Sequence, residues 1–336
     1  MDTNLIEIFY LVDEFCKEFD KVKKGHILQK DCNKKSRNRK FIMSDSEVIT
    51  ILICFHLKRH RELKHFYINY VQVHWKEHFP QTVSYNRFVE LQQKALLPMT
   101  LFLQLCCLGK CTGISFIDST PLRVCHIKRE YSHKTFKGLA TKSKTSTGWM
   151  FGFKLHIIIN DKGEIVDFLI TQANVDDREP LKNRRFHDKV FGKIFADKGY
   201  ISQSLFEQLF IDGIHLITGL KKNMKNSLML LKDKIYLRKR AIIETVNDQL
   251  KNICQIEHTR HRCFENFIGN MISGLIAYNS LPKKPSPNLE VVDYQNMRKL
   301  KNDRLNQTQV NYITVIIPSS NISQDLRLLL SMFDNR

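Results

Sequence analysis

The chain has 336 residues, with 53 Lys and Arg against 34 Asp and Glu, a formal charge of +19. A balance this basic points to a polyanion partner, nucleic acid before an acidic membrane. No run of ~18 apolar residues offers a membrane span. Met1 opens an acidic amphipathic stretch, not a basic-then-apolar leader. The nine cysteines are scattered, which suits free thiols in a reducing compartment, so a soluble intracellular protein is expected. Cys254, His258, His261 and Cys263 suggest zinc at first sight, as do Cys106, Cys107 and Cys111, but neither set has paired C-x-x-C spacing.

In chain order, Leu5, Ile8, Phe9, Val12, Phe15 and Phe19 recur at helical spacing and predict a first helix. Residues 23–40 are strongly basic and read as a loop. Ser44 and Glu47 form a capping box, and the helix they open carries Val48, Ile49, Leu52 and Phe55. A third helix is predicted over 61–77 and another from Thr82–Phe88. Tyr85, Asn86 and Arg87 on that helix suit a helix-turn-helix reader of DNA. A plain helical bundle that merely docks on the second domain is an equal alternative. Residues 1–110 are therefore expected to be an all-α domain for DNA binding or dimerisation.

From residue 111 the pattern changes. Ile114–Thr120 is a short apolar strand presenting Asp118 and stopped by Pro121. Between Pro121 and Lys154 stand eight Lys or Arg against one acid, Glu130. This stretch, with Gly138, Ser143, Ser146 and Gly148, reads as a mobile basic loop fit to clamp a phosphate backbone. Trp149–Asn160 and Glu164–Thr171 are strands joined by a turn at Asn160-Asp161-Lys162-Gly163. A strand follows over 191–197, ending in Asp197, then a helix over 202–212 and a strand over 214–218. Three strands joined in series and two reached through helices predict an α/β fold with a mixed five-stranded sheet flanked by helices. The segment Leu237–Lys251 is read as one helix with two faces. Ile243, Val246, Leu250 and Ile253 make an apolar stripe, and Arg240, Glu244 and Lys251 a polar one.

Asp118 and Asp197, at strand ends, and Glu244, on a late helix, would meet if the two strands are parallel neighbours. Three clustered carboxylates raise one another's pKa unless a cation joins them. Hard oxygen donors suit Mg²⁺ or Mn²⁺, and two such ions activate an attacking hydroxyl and stabilise a leaving oxygen at a phosphodiester. Asp248 is the rival third acid. Asp176 and Asp177 rival Asp197, although they stand where helix caps stand.

Four stretches carry a resemblance: Phe116–Leu122, Gly148–His156, Ala196–Tyr200 and Arg240–Lys251. Together they resemble the DDE-type insertion-sequence transposases of bacteria, most of all the insertion sequence 982 family, over residues 1 to 290. The resemblance implies a ribonuclease-H-like catalytic domain over 111–281 and a DDE triad of Asp118, Asp197 and Glu244 holding two Mg²⁺ or Mn²⁺ ions. It implies binding of terminal inverted repeats, DNA cleavage and strand transfer, a homodimer or larger active complex, and a place in the cytoplasm with the nucleoid. Arg240, Glu244 and Lys251 also look like the Arg-x3-Glu-x6-Lys part of a signature of related transposases. Arg240 and Lys251 would contact phosphate near the scissile bond. Lys128, Arg129, Lys144, Lys154, Lys198, Lys221 and Lys222 would contact the backbone. Residues 282–336 read as a linker and C-terminal extension, strand-like over 312–317 and helix-like over 323–333, with no assigned function. The alternatives are a DNA-binding regulator or decayed element without catalysis, and a nuclease that cuts but never joins.

Overall fold

The computed structural model describes residues 3–26, 42–145, 148–220, 229–257 and 261–287. Most of the basic 23–40 loop, Lys221, Lys222, His258 and the C-terminal extension lie outside the described residues. Among the described residues before β1, helices predominate, the main ones being Thr3–His26, Asp45–Leu57, Tyr85–Lys94 and Leu96–Phe102. The capping box is made as expected. The Glu47 amide donates to Ser44 Oγ at 3.2 Å, and the Ser44 amide to Glu47 Oε2 at 2.7 Å.

The Asp45–Leu57 helix is buried nearly all round because it is the centre of the helical layer. It packs between Thr3–His26 and the late helix Phe264–Asn279. His56, fully buried, ties these distant segments together: its ring bonds Ser273 Oγ at 3.0 Å and the Cys254 carbonyl. Burial pushes its pKa down to about 4, so it serves as a neutral bridge.

The sheet has six strands: β1 (Ile114–Cys125), β2 (Thr141–Thr145), β3 (Gly148–Asn160), β4 (Ile165–Gln172), β5 (Gly192–Ala196) and β6 (Ile214–Thr218). Their order is β2-β3-β1-β5-β6, with β4 also on β3. β2 pairs with Gly148–Gly152 and β4 with Phe153–Ile159, so the two lie end to end along one edge of β3. β3 is antiparallel to β1, and β5 and β6 run parallel to β1. This is the expected α/β arrangement, a mixed sheet with helices on both faces.

Two expectations need correction. The sheet has six strands, not five, because Thr141–Thr145 is a strand within the supposed loop. Its alternation Thr-Lys-Ser-Lys-Thr turns Lys142 and Lys144 to solvent, while the β-branched threonines fit a pleated edge. And β1 does not stop at Pro121, which pairs with Lys154 in register. β5 borders β1 only over Ile114–Phe116. Beyond that point the edge is free, so a residue with no N–H to donate is tolerated.

Strand alternation builds two cores. Phe116, Leu155, Ile157 and Phe195 face the helical layer and join one apolar cluster that runs from Leu5 to Tyr278. Ile117, Ile158, Ile194 and Ala196 face the other way, against Leu181, Phe186, Leu205 and Leu209. Each fully buried Phe here contributes roughly 1.5–3 kcal/mol.

Candidate active site

The parallel register of β1 and β5 decides the first feature of the site. Phe116 is level with Phe195. Two residues on, where this ladder has ended, Asp118 continues β1 on the face of Phe116, and Asp197 stands just past the end of β5. Asp197 keeps extended geometry, with φ −72° and ψ 166°, before the tight turn Lys198–Tyr200. Asp118 is not at the end of its strand but within it, paired with Ile157.

The third acid arrives on a broken helix. The single Leu237–Lys251 helix read from periodicity is two helices, Leu231–Lys239 and Ile242–Asp248, followed by a π-helical turn over Gln249–Ile253. Tyr236 fixes the first of these over the sheet. Its ring lies 5.5 Å from that of Phe195 and 6.5 Å from that of Phe116. Arg240 follows at the break. Ile243, Val246 and Leu250 are fully buried, as the apolar stripe requires, which turns Glu244 toward Arg240.

Arg240 is the centre of the cluster. Its Nη2 lies 3.1 Å from Glu244 Oε1 and 3.8 Å from Asp197 Oδ1. Asp118 lies deeper. Burial pushes its carboxyl up to about 6, the Ser119 amide and Arg240 pull it back, and Glu244 and Asp177 push it further up. Asn247, one turn after Glu244, donates from Nδ2 to Asp118 Oδ2 at 3.1 Å.

The rival acids separate. Asp177 stands beside Asp118, held by Ser119 Oγ at 2.8 Å and Lys154 Nζ at 2.9 Å. Asp176 turns away to Arg178, 2.8 Å from its Nη2. Asp248 accepts from Asn252 at 2.6 Å and takes no part. Tyr200 is buried near Asp118 and Asp177; burial and those charges hold its phenol protonated.

The expected phosphate contacts divide into two sets. Arg240 is engaged by acids, Lys154 by Asp177 and the Val175 carbonyl, and Lys251 by the Pro121 carbonyl at 2.6 Å and by Glu257 at 3.6 Å. Lys128, Arg129, Lys144 and Lys198 are exposed. Sequence reasoning missed Asn247 and Ser119, which are short polar side chains with no motif of their own. It missed Tyr200 too, although this residue follows Lys198-Gly199 in a stretch that carried the resemblance.

Three carboxylates, one of them protonation-prone, with a guanidinium shared by the other two, form a donor set that fits a hard divalent cation in Arg240's position. Among the described residues, however, no three His, Cys, Asp or Glu side chains already gather tightly enough to hold a metal ion. No zinc cluster forms among them either, and the described cysteines are free thiols. No helix among the described residues is long and apolar enough to cross a membrane.

Residues 108–264 match the family model of the transposase DDE domain. No curated protein matches the chain. Among solved structures, the chain is similar to the piggyBac transposase in a cryo-EM synaptic complex with hairpin DNA. That likeness is 10% identical, covers 98% of this chain and 79% of that one, and has a TM-score of 0.43. Residues 108–264, which hold Asp118, Asp197, Glu244 and the whole six-stranded sheet, are thus the part of the chain that matches the transposase DDE domain.

Proposed function

We propose that the chain is an insertion-sequence transposase, of the insertion sequence 982 type, that binds the terminal inverted repeats of its element, cleaves DNA there and transfers the strand to a target. One observation carries this reading. Within the stretch that matches a transposase DDE domain, Asp118 lies in β1 and Asp197 just past the end of the parallel β5, each two residues beyond the paired Phe116 and Phe195, and Arg240 links Asp197 to Glu244.

Asp118, Asp197 and Glu244 would hold Mg²⁺ or Mn²⁺, two ions in the full site, which supply a Lewis acid for the attacking hydroxyl and the leaving oxygen. Asp118 must give up its proton to serve, and Asn247 keeps the carboxylate turned to the site. A cation bound by Asp197 and Glu244 would release Arg240 from both. Its guanidinium would then meet the phosphate whose negative charge enters with the substrate. Lys128, Arg129, Lys144 and Lys198 would hold the backbone on either side. The helices of residues 1–110 would read the repeats and pair two or more copies. Hydrolysis and joining use the same in-line displacement at phosphorus; only the attacking oxygen differs.

The test is Asp118→Asn with Mg²⁺ and duplexes carrying the element's ends. Cleavage and strand transfer should vanish while binding stays within about two-fold of wild type, since the change removes one charge and one ligand. Cutting at the wild-type rate would refute the triad. Cutting without joining on paired ends would leave a nuclease in its place.

A further inference from the structure

Arg238, Lys239, Lys283 and Lys284 line one cavity of about 420 Å³ with Ile242 and Thr245, and no acid lines it. The cavity belongs to neither the carboxylate cluster nor its cations. Arg240 and Glu244 engage each other and Asn247 engages Asp118, whereas Arg238 and Lys239 end the first helix and Ala241, Ile242 and Thr245 open the second on the side of the cavity. Two charges come from the end of the Leu231–Lys239 helix and two from the chain that follows Phe264–Asn279.

The second wall is held firmly. Tyr278 Oη donates to the Gly163 carbonyl at 2.7 Å. Gly163, with φ +75°, lets the Pro285 backbone approach so closely that any Cβ there would fall on the Pro285 carbonyl. Lys284 is tied to the Leu281 carbonyl at 3.0 Å, and burial lowers its pKa against the pull of Glu164. Arg238, Lys239 and Lys283 are exposed and have no acid partner among the described residues.

We propose that this cleft is a phosphodiester-backbone subsite, which holds a DNA strand along the outer face of the Glu244 helix, away from the acids that would cut. The inference rests on the reading that the chain acts on DNA. Unpaired cations facing each other across a cleft favour a chain of phosphates over a single anion, because each wall neutralises a different phosphate and releases its counterions.

The native chain is tested by brief lysine acetylation, with and without a duplex of about 40 base pairs, mapped by mass spectrometry. Lys239 and Lys283 should react at least about three-fold more slowly with DNA present, whereas Lys189, exposed just before β5 and given no DNA contact, keeps its rate. Inorganic phosphate at equal phosphate concentration should give no protection. Arg238→Gln, Lys239→Gln and Lys283→Gln together should lower the slope of log Kd against log salt by about 2–3, at about 0.9 per lost phosphate contact. Unchanged reactivity and slope, while wild type binds DNA, would overturn the cleft alone. Protection by phosphate alone would make it a small-anion site. A wild-type chain that binds no DNA at all would take down the wider reading with it.

Discussion

Asn247 donates to Asp118 at 3.1 Å, across 129 residues of chain, and this bond joins the Glu244 helix to the sheet. Asn247 is buried, and its position one turn after Glu244 means that the helix can reach the strand only in this rotation. The bond therefore sets two acids at once: it aims Asp118 and fixes the turn that presents Glu244.

Asn247→Ala should act on chemistry more than on binding. Loss of a partner behind a metal-ligating carboxylate typically costs about 10–100-fold in activity or metal affinity. Single-turnover cleavage should fall by that factor and DNA affinity stay unchanged. The fold should lose about 1 kcal/mol, read from urea unfolding. A wild-type turnover rate would deny Asn247 its positioning role.

The half-buried Asp118 carboxyl makes a pH signature. Its pKa is pushed up to about 6 in the fold by burial, from an ordinary 3.8, so the native state binds more protons than the unfolded chain in that window. Stability contributed here is present below about 4 and lost as pH rises through about 6. Asp167, raised to about 6 by burial, pulls the same way, and His56 and His156, lowered to about 4 by burial, pull the other. The difference between wild type and Asp118→Asn isolates the one group. Without metal, the variant should gain on the order of 2 kcal/mol relative to wild type between about pH 4 and pH 7. Cleavage by wild type should rise through about pH 6. A difference that does not change with pH would mean that Asp118 is ionised throughout.

Arg240 competes for the oxygens that a divalent ion would take. Asp197 and Glu244 are well exposed, so its loss should cost at most about 1 kcal/mol without metal. Arg240→Gln should then show a larger rise in thermal midpoint on adding MnCl₂ than wild type does, and a lower cleavage rate. An equal rise in both would show that the guanidinium and the ion do not share a site.

Gly152 marks where β3 meets the end of β1. A Cβ there would fall on the Leu122 carbonyl, a backbone atom that cannot yield without parting the strands. Gly152→Ala should destabilise by about 2–3 kcal/mol. It should also slow cleavage, because Asp118 lies on the displaced strand. Urea midpoints within error of wild type would mean that the strand pair slides freely.

Local signals in the amino-acid order were enough for much of this. The Ser44–Glu47 box, the turn at Asn160–Gly163 and the strands of Phe116, Ile157 and Phe195 depend on neighbours within a few residues, so periodicity and turn chemistry disclose them. Asp118 and Asp197 stood out for the same reason, as lone acids beside apolar strands. Tertiary structure alone decided the rest. Whether Thr141–Thr145 becomes an edge strand depends on β3 offering it a partner, and whether Pro121 breaks β1 depends on where β5 stops. The break at Arg240 and the π turn after Asp248 leave no periodic trace, because apolar positions on both sides still reach the core. Arg240, Lys154 and Lys251 looked alike as charges in sequence. Their partners are fixed by the register of strands and helices far apart along the chain, and charge is read only by what it touches.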